Sequence, residues 1–121
     1  MPPGLLTQLG EFIQEGMDRQ YNHVRWISDD VMKVYVRKSR RYINDKLIIC
    51  LDLASIEVIE NKRGQGIFTA FLGYAHALNP WDVTYIENVL APRFARYFRN
   101  NNWCERDIFP PSFYKFTENQ S

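Results

Sequence analysis

Net charge of one sign is missing from this chain. Lysine and arginine number 15 against 14 acidic residues, a balance of +1 over 121 residues, so no bulk field draws the protein to duplex nucleic acid or to an anionic membrane. Any basic patch must be local. Cysteine is scarce: Cys50 lies in an apolar run and Cys104 beside Trp103, too few for a disulfide framework and without zinc-ligand spacing. His23 and His76 have no partner ligand at helical or hairpin spacing, so no metal is expected. No apolar run approaches a membrane span, and Met1–Gln8 has no charged segment leading a long apolar one. The expectation is a soluble, cytoplasmic protein with no membrane association. Repeats, low-complexity tracts and long linkers are absent too.

What is present is 45% hydrophobic and 15% aromatic content, enough for one sizeable core. A single domain over residues 1–121 is expected, with an N-terminal helical region at 1–30 and a core of sheet and helices at 31–116. Leu5, Leu6, Leu9, Phe12, Ile13 and Met17 recur at helical intervals. Val31–Ile43 alternates as a half-exposed strand, Asn44-Asp45 has turn chemistry, and Leu47–Leu51 continues to Ile59 as an antiparallel neighbour buried on both faces. Asp52, Ala54, Ser55 and Glu57 interrupt that second strand, and a bend or an open cleft would accommodate them. A helix over Ile67–Leu78 ends at Asn79-Pro80. A strand at Val83–Val89, a helix at Arg93–Asn101 opened by Pro92, and short strands near Trp103 and Phe113–Phe116 complete the order. The fold class is α/β: a mixed, mostly antiparallel sheet with helices on both faces, and a parallel strand pair joined by the Ile67–Leu78 helix.

The segment from Ser55 to Leu72 is the most informative, because a strand runs through Gly64 and Gly66 straight into a helix. Two glycines let a ligand reach the main chain, and the helix start turns unpaired N–H groups and its positive dipole end toward an anion. A tight packing turn is the plainer reading of such a pair. The Walker pattern fails, because neither glycine is followed by lysine and then serine or threonine. A dinucleotide fingerprint is nearer, with Glu87 at ribose distance, but Thr69 stands where its third small residue belongs.

These residues resemble the GCN5-related N-acetyltransferases. Ile56-Glu57-Val58 matches the strand end of their signature and Arg63-Gly64-Gln65-Gly66-Ile67 its loop, while Asn61 replaces the arginine or glutamine of the first motif position. Glu87-Asn88-Val89, followed by a helix ending Asn102-Trp103, is similar to the family's next strand and helix. Asn102 can replace a glycine there because asparagine tolerates positive φ. The likeness spans about residues 31–116 and is nearest to small members, phage-encoded proteins among them. It implies an acetyltransferase that passes an acyl group from acetyl-coenzyme A to an amine by direct attack. It also implies a central strand splayed from its parallel neighbour, with the pantetheine arm on the main chain of Ile56 and Val58. The diphosphate would lie on Arg63–Ile67, with Asn61 and Phe68 nearby, and Asn88 and Phe98 would approach from the opposite strand and last helix.

For the chemistry, Glu57 and Asp52, then Glu87, are candidate bases, since a partly desolvated carboxylate can have its pKa raised toward working pH. Strict alternation sets Asp52 on the side of Ala54, Ile56 and Val58 with Glu57 on the other, unless a bulge intervenes. Each could equally be a solvated or arginine-bound carboxylate. The family's acid position falls on Phe98; Tyr97 beside it is a candidate, with a core aromatic as the plain alternative. The acceptor is a small-molecule or protein amine, and a homodimer could form through the last strands. Two other classes remain open: a non-catalytic coenzyme A-binding or interaction module, and a nucleic-acid-associated protein using Lys33, Arg37, Lys38, Arg40 and Arg41, a run that otherwise reads as a solvated edge.

Overall fold

In a computed structural model, residues 4–18, 23–64, 66–89, 92–106 and 110–118 are described. Helix α1 covers Leu5–Met17, as the apolar spacing predicts, and buries Leu5, Leu9, Phe12 and Ile13. Then come β1 (Val24–Ser28), β2 (Met32–Ile43), β3 (Lys46–Val58), a 3-10 turn at Glu60–Lys62, α2 (Ile67–Leu78), β4 (Val83–Ile86), α3 (Pro92–Asn100), β5 (Cys104–Arg106) and β6 (Ser112–Phe116). The six strands form one sheet in the order β1-β2-β3-β4-β6-β5. Among the described strands only β3 and β4 run parallel, joined through α2.

Asn44 and Asp45 both hold positive φ, 53° and 64°. This left-handed pair is what a two-residue hairpin needs to match strand twist, and it pairs Ile43 with Lys46, so that Arg37 faces Asp52 across the ladder. The N-terminal region is not wholly helical as expected. Its second half holds β1, which pairs with β2 from Val24↔Arg37 to Ser28↔Lys33. Only Ile27 of the five residues is buried, so periodicity gives little signal there. β4 is also shorter than the expected Val83–Val89, because the chain leaves the sheet after Ile86.

The mixed, mostly antiparallel sheet matches the expectation; helices on both faces do not. α1 (Leu9, Phe12), α2 (Phe68, Phe71, Leu72, Ala75) and α3 (Ala95, Phe98) all join one core with Val34, Val36, Leu51, Leu53, Ile86 and Phe113. Among the described residues no helix covers the other face. There Ile43, Ile48, Cys50, Val83 and Tyr85 form a smaller cluster with Tyr114. The three described helices cover one face only, and the second carries a mixture of aliphatic, aromatic and polar side chains.

β3 is buried from Cys50 to Leu53 and increasingly exposed beyond. The ladder with β2 slips between Val36↔Leu53 and Tyr35↔Ser55, leaving Ala54 as the extra residue of a bulge. The slip reverses which side chains face the helices. Ile56 and Val58 join the helical core with Leu51 and Leu53, while Ser55 and Glu57, opposite Tyr35 and Lys33, take the helix-free face with Asp52. The strict alternation that separated Asp52 from Glu57 is thereby corrected.

Candidate functional site

The bulge coincides with the end of the parallel pairing. β3 and β4 are in register from Cys50↔Val83 to Leu53↔Ile86, and the last link is the Glu87 N–H to the Leu53 carbonyl at 3.3 Å. Beyond it the two diverge. Asn88 turns away at φ 56°, its N–H donates to Ser112 Oγ at 3.3 Å, and the Val89 N–H donates to the Pro111 carbonyl at 2.8 Å. The second half of β3 thus loses its neighbour on that side. Its other edge stays paired: the Ile59 N–H donates to the Val31 carbonyl at 2.9 Å. Val58↔Met32 and Ile56↔Val34 are therefore the pairs that exchange no ladder bonds, and the peptide groups of Ile56 and Val58 point into the gap. The Val58 carbonyl is taken by Arg63 Nε at 3.0 Å.

At the far end of the gap the 3-10 turn delivers Gly64 and Gly66, at φ 79° and 75°. Gly66 is the N-cap of α2 and supplies no side-chain cap. The first intrahelical bond is Ala70 N–H to the Gly66 carbonyl, 3.0 Å, so the N–H groups of Ile67, Phe68 and Thr69 have no acceptor within the helix. A Cβ built on Gly64 would meet nothing within 4 Å, and one on Gly66 only Thr69 Oγ1 at 3.7 Å. The glycines serve conformation and access, not helix-sheet packing.

Gap and loop share one cavity of about 850 Å³. It brings together Ile56, Glu57, Val58, Arg63, Gly64, Gly66, Ile67, Phe68, Glu87, Asn88, Tyr97 and Phe98 of the residues expected from sequence. Gln65 lies outside the described residues. Asn61, exposed in the 3-10 turn, and Asp52 do not line the cavity. Sequence reasoning missed Lys62, Thr69, Arg93 and Phe94 on its wall; Lys62 and Arg93 were legible as cations flanking the glycine loop and opening α3. The charges are Lys62, Arg63 and Arg93 against Glu57 and Glu87. Lys62 and Arg63 adjoin the glycines, whereas Glu57 and Glu87 belong to the strand ends.

Asp52 is fully buried on the helix-free face. Its Oδ2 accepts from Arg41 at 2.6 Å, Arg37 at 3.3 Å and Ser39 Oγ at 3.4 Å. Arg37 also donates to Glu87, and Arg41 lies 3.2 Å from Glu87 Oε1 and 3.9 Å from the Tyr85 ring centre. Burial, with the Glu87 charge adding to it, pushes the Asp52 carboxyl up to about 6 against the bonds from Arg41 and Arg37. Oδ1 of Asp52 and Nε of both arginines are buried with no partner among the described residues. Two candidate bases are thus members of one ionic cluster, and only Glu87 reaches the cavity from it. Glu57 is exposed, and its side chain makes no ion pair or hydrogen bond among the described residues. The same cluster occupies Arg37 and Arg41, while the Lys38 ammonium donates to the Gly16 carbonyl at 2.8 Å. Much of the basic run on β2 is engaged within the fold.

α3 closes the cavity with an aromatic wall. Phe98 is fully buried, 4.9 Å from Phe113, 5.1 Å from Trp103 and 6.4 Å from Phe68 between ring centres. Tyr97 is half-buried at the cavity edge. The helix stops as its sequence requires: Asn102 takes φ 66°, and the Trp103 N–H returns to the Phe98 carbonyl at 3.1 Å, a Schellman closure with asparagine in glycine's place. Away from the site, no group of three or more His, Cys, Asp or Glu side chains is placed to hold a metal ion among the described residues. No described helix is long and apolar enough to cross a membrane.

No protein-family model matches the chain, and no curated protein does. Among solved structures it is similar to a chain in the crystal structure of a KacTA–DNA complex, with a TM-score of 0.59 at 11% identity, over 94% of this chain and 79% of that one. At that identity the likeness is one of fold.

Proposed function

We propose that the chain is an acyl-coenzyme A-dependent N-acyltransferase with a fold of the GCN5-related type, acting on an amine. One observation carries this reading: the unpaired edge of β3 beyond Ala54 and the left-handed Gly64–Gly66 turn at the start of α2 open into the same cavity. An extended ligand with amides along its middle and a diphosphate at one end fits both parts. The fit rests on the donor set, since the first-turn N–H groups of α2, Lys62 and Arg63 suit phosphate oxygens, and the space over both glycines is open. Ile56 and Val58 would hold the arm, with Asn88 facing them from the diverging strand.

Acetyl-coenzyme A, when bound, supplies the activated acyl group that the amine attacks directly. The chain's own part is positioning and proton handling. A main-chain N–H on the open edge near the bulge can donate to the acyl oxygen. Glu57, unpaired and on the cavity wall, is the better placed base. Glu87 is committed to two guanidinium groups and Asp52 is shut away behind it, so both are read as positioning groups. Tyr97, at the cavity edge, is the side chain that could return a proton to the thiolate.

The test is thermal stabilisation by acetyl-coenzyme A set against NAD and ATP, since a ligand raises the melting point only by preferring the folded state. Preferential stabilisation by acetyl-coenzyme A is expected; equal or absent effects would remove the proposal. A second reading, a non-catalytic coenzyme A-binding module, is favoured by the buried Phe98 where a hydroxyl would serve. Tight binding without acyl transfer to a broad amine panel would select it.

A further inference from the structure

The helix-free face beside the gap carries a feature that cofactor binding does not use. Across β1, β2 and β3 the register aligns Trp26 with Tyr35 and Ser55, and Ser28 with Lys33 and Glu57. Because of the bulge, these side chains share the face onto which Ser55 and Glu57, themselves on the cavity wall, are turned. Trp26 remains 45% exposed, its ring 4.9 Å from that of Tyr35, and the Lys33 ammonium sits over it, 4.5 Å from the ring centre. The ring face already holds an ammonium group, supplied by the chain itself. Glu57, one strand further on, is a carboxylate with no counter-ion among the described residues. An aromatic face and a carboxylate lie two strand spacings across and two residues along, roughly 12 Å between their backbone positions, with the carboxylate at the reaction cavity.

We propose that this face binds the acceptor, and that the acceptor is an aliphatic diamine: one nitrogen enters the cavity beside Glu57 while the second, cationic nitrogen displaces Lys33 from the Trp26 ring. This rests on the acyltransferase reading and names its substrate class. The charge pattern favours it over an anionic partner, because Glu57 would repel phosphate and the neighbouring Arg37 is already paired with Asp52 and Glu87. Lys33 is then a built-in competitor, and its removal strengthens binding.

The experiment compares 1,5-diaminopentane with pentylamine, by NMR or calorimetric titration of the full chain with coenzyme A present, in the wild type, Trp26→Ala, Lys33→Met and Glu57→Gln. The diamine should bind more tightly than the monoamine. In the Lys33→Met background, where no side-chain ammonium competes for the ring, Trp26→Ala should weaken the diamine by about fivefold, the worth of one exposed cation–π contact, and leave the monoamine unchanged. Lys33→Met should tighten the diamine by a similar factor, and Glu57→Gln should weaken both. Trp26 and Lys33 are exposed on the sheet face, so folding should survive, and unchanged melting points check it. Equal affinities for the two amines, or a diamine preference indifferent to both Trp26→Ala and Lys33→Met, would overturn the inference. Coenzyme A stabilisation in the same samples reports separately on the acyltransferase reading.

Discussion

Replacing Gly66 separates the conformational role of the loop from its proposed ligand role. At φ 75° an ordinary L-residue pays roughly 1–2 kcal/mol in backbone strain, and the open space around a Cβ there adds no clash. Gly66→Ala should therefore lower the melting point by about 3–8 °C in a chain of this size. Gly66→Asn should cost much less, since asparagine already occupies left-handed positions at 44, 88 and 102. Both substitutions place a side chain over the helix N-terminus, where the diphosphate is proposed to lie. With acetyl-coenzyme A at a hundred times its dissociation constant, the wild type should gain about 2.7 kcal/mol, near 10 °C in a thermal-shift assay. Gly66→Asn should lose most of that gain while its unliganded melting point stays close to wild type. Should Gly66→Asn keep the full ligand shift, no anion rests on the main chain ahead of Ile67. Should Gly66→Ala melt with the wild type, the left-handed turn itself is wrong.

Asp52 gives a pH signature. Its carboxyl is raised from 3.8 to about 6 by burial, so the folded state holds the proton more tightly, and the stability Asp52 contributes is full below about pH 4 and lost as pH rises through 6. Asp52→Asn should flatten this part of the stability profile in urea melts across pH 4–7, and an unchanged profile would place Asp52 in a wetter setting. Phe98→Tyr tests the aromatic wall: a hydroxyl added inside the cage of Phe68, Phe113 and Trp103 should cost about 1–3 kcal/mol and leave turnover unimproved. Undiminished stability with faster acyl transfer would instead make position 98 a proton donor's seat.

The cavity was legible in outline because its two halves are backbone devices with residue signatures. Gly64 and Gly66 announce positive φ, and polar residues within an otherwise buried strand announce a place where pairing fails. The ionic cluster was legible in principle as well: a two-residue turn at Asn44-Asp45 fixes the register that sets Arg37 against Asp52. What no local pattern encodes is where that register slips. The bulge at Ala54 coincides with the point where β4 leaves after Ile86 and the Asn88 N–H bonds Ser112, a tertiary event, and one residue of slip moves every later side chain to the opposite face. That slip joins Glu57 to the cavity wall and to the helix-free face at once. β1 escaped notice for a related reason: a strand over an uncovered face has little to bury, so Trp26 carries no periodic signal. The residues hardest to read from sequence are thus those on the helix-free face, proposed here to meet the acceptor, since an uncovered surface is under no obligation to pack.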